Sequence, residues 1–244
     1  MIAQTRAELL KIRSTRTTLG LLLGMIGLLL LFVLLAGLLT KARDLTSTQD
    51  QLGVLSTGSL AGVFSALAGI MLVTSEYRFG TMRPTFLFTP RRARVLGSKV
   101  VAGLLAGFAF GVVGEGLVLA VGYAILNGRG IPNALGGSDI TVLVIGTLAG
   151  VALWGAIGVG VGGIVRNQIG AVVGLLAWGF VAENLLFAFV PSVGRLGPVH
   201  AQDAMTGLTA EHLLGSGAGA AVLIGWTVVL GFVGLALGAR RDVD

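Results

Sequence analysis

The chain has 244 residues, 55% of them hydrophobic and 11% charged, with a formal net charge of +6 and a mean hydropathy of +0.93. A soluble domain is about one quarter charged, so the composition argues for a membrane protein, and the excess positive charge suits anionic lipid head groups rather than nucleic acid. No cysteine is present, which excludes disulfides, thiol catalysis and cysteine metal sites.

Residues 1–18 carry Arg6, Lys11, Arg13 and Arg16. Two readings fit them: an interfacial helix with Leu9, Leu10 and Ile12 in the head-group layer, or a basic topology anchor. The apolar run Leu19–Leu39 is longer than a signal-peptide core and is read as a retained first helix. Five further spans follow at about Val54–Val73, Val100–Leu126, Ile140–Val165, Ile169–Val190 and Ala218–Leu237, each near the length needed to cross a bilayer. Six spans put both ends on one side. With those ends inside, 13 of the 17 basic residues fall inside and 4 outside, which predicts that both termini are cytoplasmic. The expected fold is therefore one all-α polytopic membrane domain over residues 1–244.

Glycines recur every fourth residue at Gly103, Gly107 and Gly111, at Gly146 and Gly150, at Gly158 and Gly162, and at Gly234 and Gly238. Small residues at this spacing let helix backbones approach closely, within one bundle or across a dimer seam. Residues 191–217 form a polar stretch with short apolar patches, expected to cap the bundle or to dip back into it.

Catalytic motifs are missing. There is no GxSxG and no GxxxxGK[ST], and His200 and His212 match no metal-ligand spacing. The chain is expected to have no catalytic residues, no metal and no cofactor of its own. Glu115 and Glu183 lie inside predicted spans, with Asn184 following the second. An ionised carboxylate at mid-bilayer costs at least about 3 kcal/mol. These three residues are therefore candidates for a transport path or proton site, or for interhelical hydrogen bonds.

The basic loop 74–99 has more structure than a topology signal requires. Glu76 to Arg83 can extend a helix beyond the membrane, with Gly80 a weak point and Pro84 a break. Phe79, Phe86 and Phe88 are large apolar residues outside the spans, and Thr89-Pro90 reads as an N-cap followed by Pro at the first helical position. Aromatics among arginines suit either a docking surface or lipid head groups.

The run Ser75-Glu76-Tyr77-Arg78-Phe79-Gly80-Thr81-Met82-Arg83-Pro84-Thr85, followed by Thr89-Pro90-Arg91-Arg92 and a long span, resembles the corresponding loop of permease subunits of the ABC type-2 exporter family. The six spans, the basic N-terminus and the long last outer loop are similar to that family as well. The resemblance implies a cytoplasmic coupling helix between helices 2 and 3 that sits on a P-loop ATPase subunit, which binds the ATP. Glu76, Arg78, Phe79, Gly80, Thr81, Arg83, Pro84, Phe86 and Phe88 would be its contacts. It also implies an N-terminal interfacial elbow helix, a second permease subunit as homo- or heterodimer partner, and outward movement of a hydrophobic or amphipathic substrate across the plasma membrane. The alternative is a secondary transporter that couples to protons or cations through Glu115 and Glu183.

Overall fold

The computed structural model describes residues 2–81 and 92–240, and these are helical with no strand among them. Helix α1 (Ile2–Ser14) precedes α2 (Arg16–Leu39). Helix α3 (Thr48–Leu55) runs through a 3₁₀ turn, Ser56–Leu60, into α4 (Ala61–Arg78). Helices α5 (Arg92–Gly128), α6 (Gly137–Val165) and α7 (Gln168–Ala177) follow. A π-helical segment, Trp178–Ala182, joins α7 to α8 (Glu183–Phe189), and α9 (Pro191–Gly194), α10 (Pro198–Met205) and α11 (Ser216–Arg240) complete the chain.

Six helical segments are long and apolar enough to cross a membrane: Arg16–Leu39, Thr48–Arg78, Arg94–Gly128, Gly137–Val165, Gln168–Phe189 and Ser216–Leu237. These define an all-α, multi-pass membrane protein. The second span is longer than hydropathy predicts. Its added first turns are held by a capping box in which Ser47 and Asp50 satisfy each other's backbone N–H.

The second and fourth spans form the centre: 61% of the second is buried, against 11% of the fifth. Close approach of glycines explains this. A Cβ on Gly103 would sit 2.8 Å from the Gly155 carbonyl oxygen, and one on Gly155 would strike the backbone of Gly103. Gly69 of α4 faces the same Gly155 carbonyl, so α4, α5 and α6 meet backbone to backbone at one point. Gly107 and Gly111 continue the α5–α6 contact, Gly158 and Gly162 lie against Ala66 and Ile70 of α4, and Gly234 lies against Gly160. The periodic glycines among the described side chains thus pack this one bundle.

Residues 191–217 do not form a detached loop. Helix α10 starts with Pro198 at its first turn and buries His200, Ala201, Gln202, Ala204 and Met205. Gly146 of α6 lies directly under the Met205 carbonyl, and Gly219 of α11 under that of Ala201. Helix α1 also packs inward. Leu9 and Ile12 rest on the buried cluster of Leu72, Val73, Ala102 and Val159, whereas Leu10, expected beside them, is 62% exposed.

Candidate functional site

Polar groups gather at three levels of the bundle. At the basic end, Lys99 in the second turn of α5 is completely buried. Its ammonium donates to Glu76 Oε1 at 2.8 Å, to Glu8 Oε2 at 2.9 Å and to the Leu72 carbonyl at 3.0 Å. An ammonium has three protons, and here each has an acceptor. Lys11 of α1 completes the network, donating to Glu76 Oε1 at 2.7 Å and Glu8 Oε1 at 3.1 Å. Partial burial acts to lower the Lys11 ammonium, but the hydrogen bond to Glu76 and the charges of Glu8 and Glu76 outweigh it and raise it above the ordinary lysine value. Two lysines and two carboxylates thus tie α1 to α4 and α5, the two stems of the basic loop.

This placement corrects the expectation for Glu76. Its side chain is 7% exposed and committed to Lys11 and Lys99, so it is not offered at the surface. The next residues are. Arg78, Phe79, Gly80 and Thr81 are exposed, Phe79 by 71%, and Gly80 adopts a positive φ of 67° that ends the helix. The Arg78 guanidinium lies 5.5 Å over the Phe79 ring and reaches Gln168 Oε1 at 3.5 Å. Arg83, Pro84, Phe86 and Phe88 lie outside the described residues. Arg166, at the α6–α7 corner, stacks over Tyr77 at 5.0 Å and donates to the Leu237 carbonyl at 2.9 Å, joining α4, α6 and α11 at the same end.

At the middle level, Glu115 of α5 is 2% exposed. Neither carboxylate oxygen has a hydrogen-bond partner among the described residues, with the Thr147 hydroxyl of α6 close by but not in bonding geometry. The missing side chain of Gly58 makes the space the carboxylate occupies.

At the third level, Glu183 is completely buried and caps α10. Its Oε1 accepts the backbone N–H of Val199 at 2.7 Å and of His200 at 2.9 Å, and lies 3.2 Å from His200 Nδ1. A carboxylate on two free N–H groups of a helix start is favourable, because it fills orphan donors at the positive end of the helix. Phe187 stacks on the His200 ring at 4.1 Å. Glu183 is thus a structural acid, the interhelical hydrogen-bond reading. Asn184 has a local task too: its amide donates to the carbonyls of Gly179 and Phe180, which the π-helical turn frees. Glu115, Glu183 and Asn184 do not converge on one site.

Glu8, Lys99 and Asp203 carry more than the sequence reading assigned them. Two of the chain's three lysines are in the basic-end network, in a protein that otherwise uses arginine. That bias is a signal, since a compact ammonium fits a small three-acceptor site where a planar guanidinium does not. Asp203 of α10 is raised to about 6, first by burial, with His200 lowering it and Glu183 raising it further.

No protein-family model matches the chain, and no curated protein matches it as a relative.

Proposed function

We propose that this chain is the permease subunit of an ATP-driven exporter of the ABC type-2 kind, moving a hydrophobic or amphipathic substrate outward across the plasma membrane. ATP is bound and hydrolysed on a separate P-loop subunit, and a second permease subunit completes the transport unit. The basic end is the cytoplasmic one, with α1 as the elbow and the loop after α4 as the coupling element.

One observation carries this reading: the network of buried Lys99, Glu76 and Glu8 with part-exposed Lys11. A loop that serves only as a topology signal needs positive charge and nothing more. Here both stems of the loop are fixed to the N-terminal helix, the α5 stem by the buried Lys99–Glu8 bond and the α4 stem by the part-buried Lys11–Glu76 bond. A push on the exposed Arg78–Thr81 segment is therefore received by α1, α4 and α5 together. An uncoupled transporter has no use for that rigidity at its cytoplasmic rim.

The test is co-purification. Solubilised from its native membrane, the chain should hold a P-loop ATPase in fixed stoichiometry, and Phe79→Ala with Arg78→Ala should release it without unfolding the bundle. Recovery of a transport-competent protein with no ATPase would end the reading. A second reading, a proton-coupled transporter, has Glu115 in its favour, a buried carboxylate with no basic partner among the described residues. It predicts that transport by the chain alone collapses in Glu115→Gln and follows the proton gradient rather than ATP.

A further inference from the structure

A cavity of about 260 Å³ lies between the 3₁₀ turn before α4, helix α6, the π-helical segment, α8 and α10. Its polar wall is made by Ser59, Asn184, Gln202 and Asp203, and Trp154 and Phe180 supply aromatic surface.

Most of the amide donors of this wall are already engaged. The Gln202 amide N–H donates to the Ser59 carbonyl at 3.0 Å, and the Asn184 amide N–H to Gly179 and Phe180. The Trp154 indole N–H has no accessible surface, so the cavity meets the ring. Beside the Ser59 hydroxyl and the second Gln202 N–H, what remains is mostly acceptor capacity: the amide oxygens of Asn184 and Gln202 and the carboxylate of Asp203, none of which receives a hydrogen bond among the described residues. Among the described residues no lysine or arginine lines the space. The other titratable groups nearby are His200, whose Nδ1 is turned to Glu183, and Glu183 itself, which adds negative charge. A site rich in acceptors, with a carboxylate that no described lysine or arginine neutralises and with aromatic faces, is complementary to a cation with an apolar body.

We infer that this cavity binds an organic cation, an ammonium or quaternary ammonium carrying one apolar group, with Asp203 as counter-ion and Trp154 and Phe180 as the walls on which the cation rests. A small inorganic ion fits less well, because the described residues include no cluster of His, Asp and Glu able to ligate a metal. The assignment concerns binding to this chain alone, so it stands or falls apart from the ATPase partnership.

The test uses the full chain in nanodiscs of zwitterionic lipid near neutral pH. Benzyltrimethylammonium is titrated by calorimetry against neopentylbenzene, which has the same shape with carbon in place of the charged nitrogen. The ammonium should bind saturably at one site per chain, and the neutral isostere at least about tenfold more weakly. Asp203→Asn should weaken the ammonium by about tenfold or more and leave the isostere unchanged, while Asp203→Glu should retain binding. Equal affinity for the two probes in the wild-type chain overturns the inference without recourse to any variant. Absence of saturable ammonium binding, or unchanged binding in a folded Asp203→Asn protein, overturns it as well.

Discussion

Lys99 donates to Glu76 at 2.8 Å across the 23 positions that separate them, and closes the neck of the basic loop in doing so. Both groups are buried, so water does not replace a lost partner. Removing one partner of a buried ion pair costs about 3–5 kcal/mol, because the other charge stays behind. Lys99→Met should therefore lower the melting temperature in detergent strongly. Lys99→Arg should lower it too, since a planar fork does not fill a site shaped for three converging acceptors. A double-mutant cycle of Lys99→Met with Glu76→Gln should show strong non-additivity. Additive losses would mean the two groups act separately.

Lys11 gives the network an alkaline limit. Its folded value is raised, so its contribution is fully present below the ordinary lysine value of 10.5 and is lost as the pH rises through the raised value. A fluorophore on exposed Ser14 should keep high anisotropy up to about pH 10 and lose it above. In Lys11→Met the loosening should already be present at neutral pH.

Asp203 is also raised, but as an acid, so here it is the charged form that is penalised. Its folded value, about 6, lies above the usual carboxylate range, so the ionised native form carries a penalty above that pH. Stability from this group should rise as pH falls through about 6 and level off near 4, where the unfolded chain also takes up the proton. Asp203→Asn should accordingly melt a few degrees higher than wild type near neutral pH, and the gap should close by pH 4. A binding carboxylate held at a cost in stability behaves this way.

Glycine substitutions separate the bundle centre from its rim. Gly155→Ala puts a methyl group into the backbone of α5, where no rotamer can yield, and should cost at least about 2 kcal/mol. Gly27→Ala on α2 meets nothing within 4 Å, so it should be neutral or stabilise by up to about 1 kcal/mol. Thermal unfolding of both variants checks the contrast.

Glu183 should be replaceable in charge but not in shape. Glu183→Gln keeps an acceptor for the Val199 and His200 N–H groups and should be mild. Glu183→Ala leaves two donors unfilled and should cost about 1–3 kcal/mol. Loss of the Phe187–His200 ring contact, followed by the His200 NMR shift, would mark the detachment of α10.

The six spans were legible because hydropathy over some 20 residues depends only on what is local. The glycine spacing was legible as packing for the same reason, one face of one helix. The meeting at Gly155 was not, since it needs three helices in register. The network at the basic end was hidden by distance: Lys99 and Glu8 are 91 positions apart, and charge counting treats both lysines as topology signals. Glu76 was placed at the surface because it follows the apolar run, yet α4 continues past it to Arg78 and keeps it inside. Helix α10 left a mark in Gly197-Pro198, a favourable helix start, but its capping acid comes from α8. Among the candidate path residues, the types were recognisable and their partners were not.

The separation of Glu8 from Lys99 also sets a schedule. A ribosome adding about 5–20 residues each second needs about 5–20 s to pass from one to the other. Helix α1 is made before α4 and α5, yet its bond to Lys99 is made only when the third span begins. Until then Glu8 lacks Lys99, and Lys11 gains Glu76 only once the second span has been made. The N-terminal helix is therefore secured later than its place in the chain implies, and its full docking reports that the second and third spans are already in place beside it.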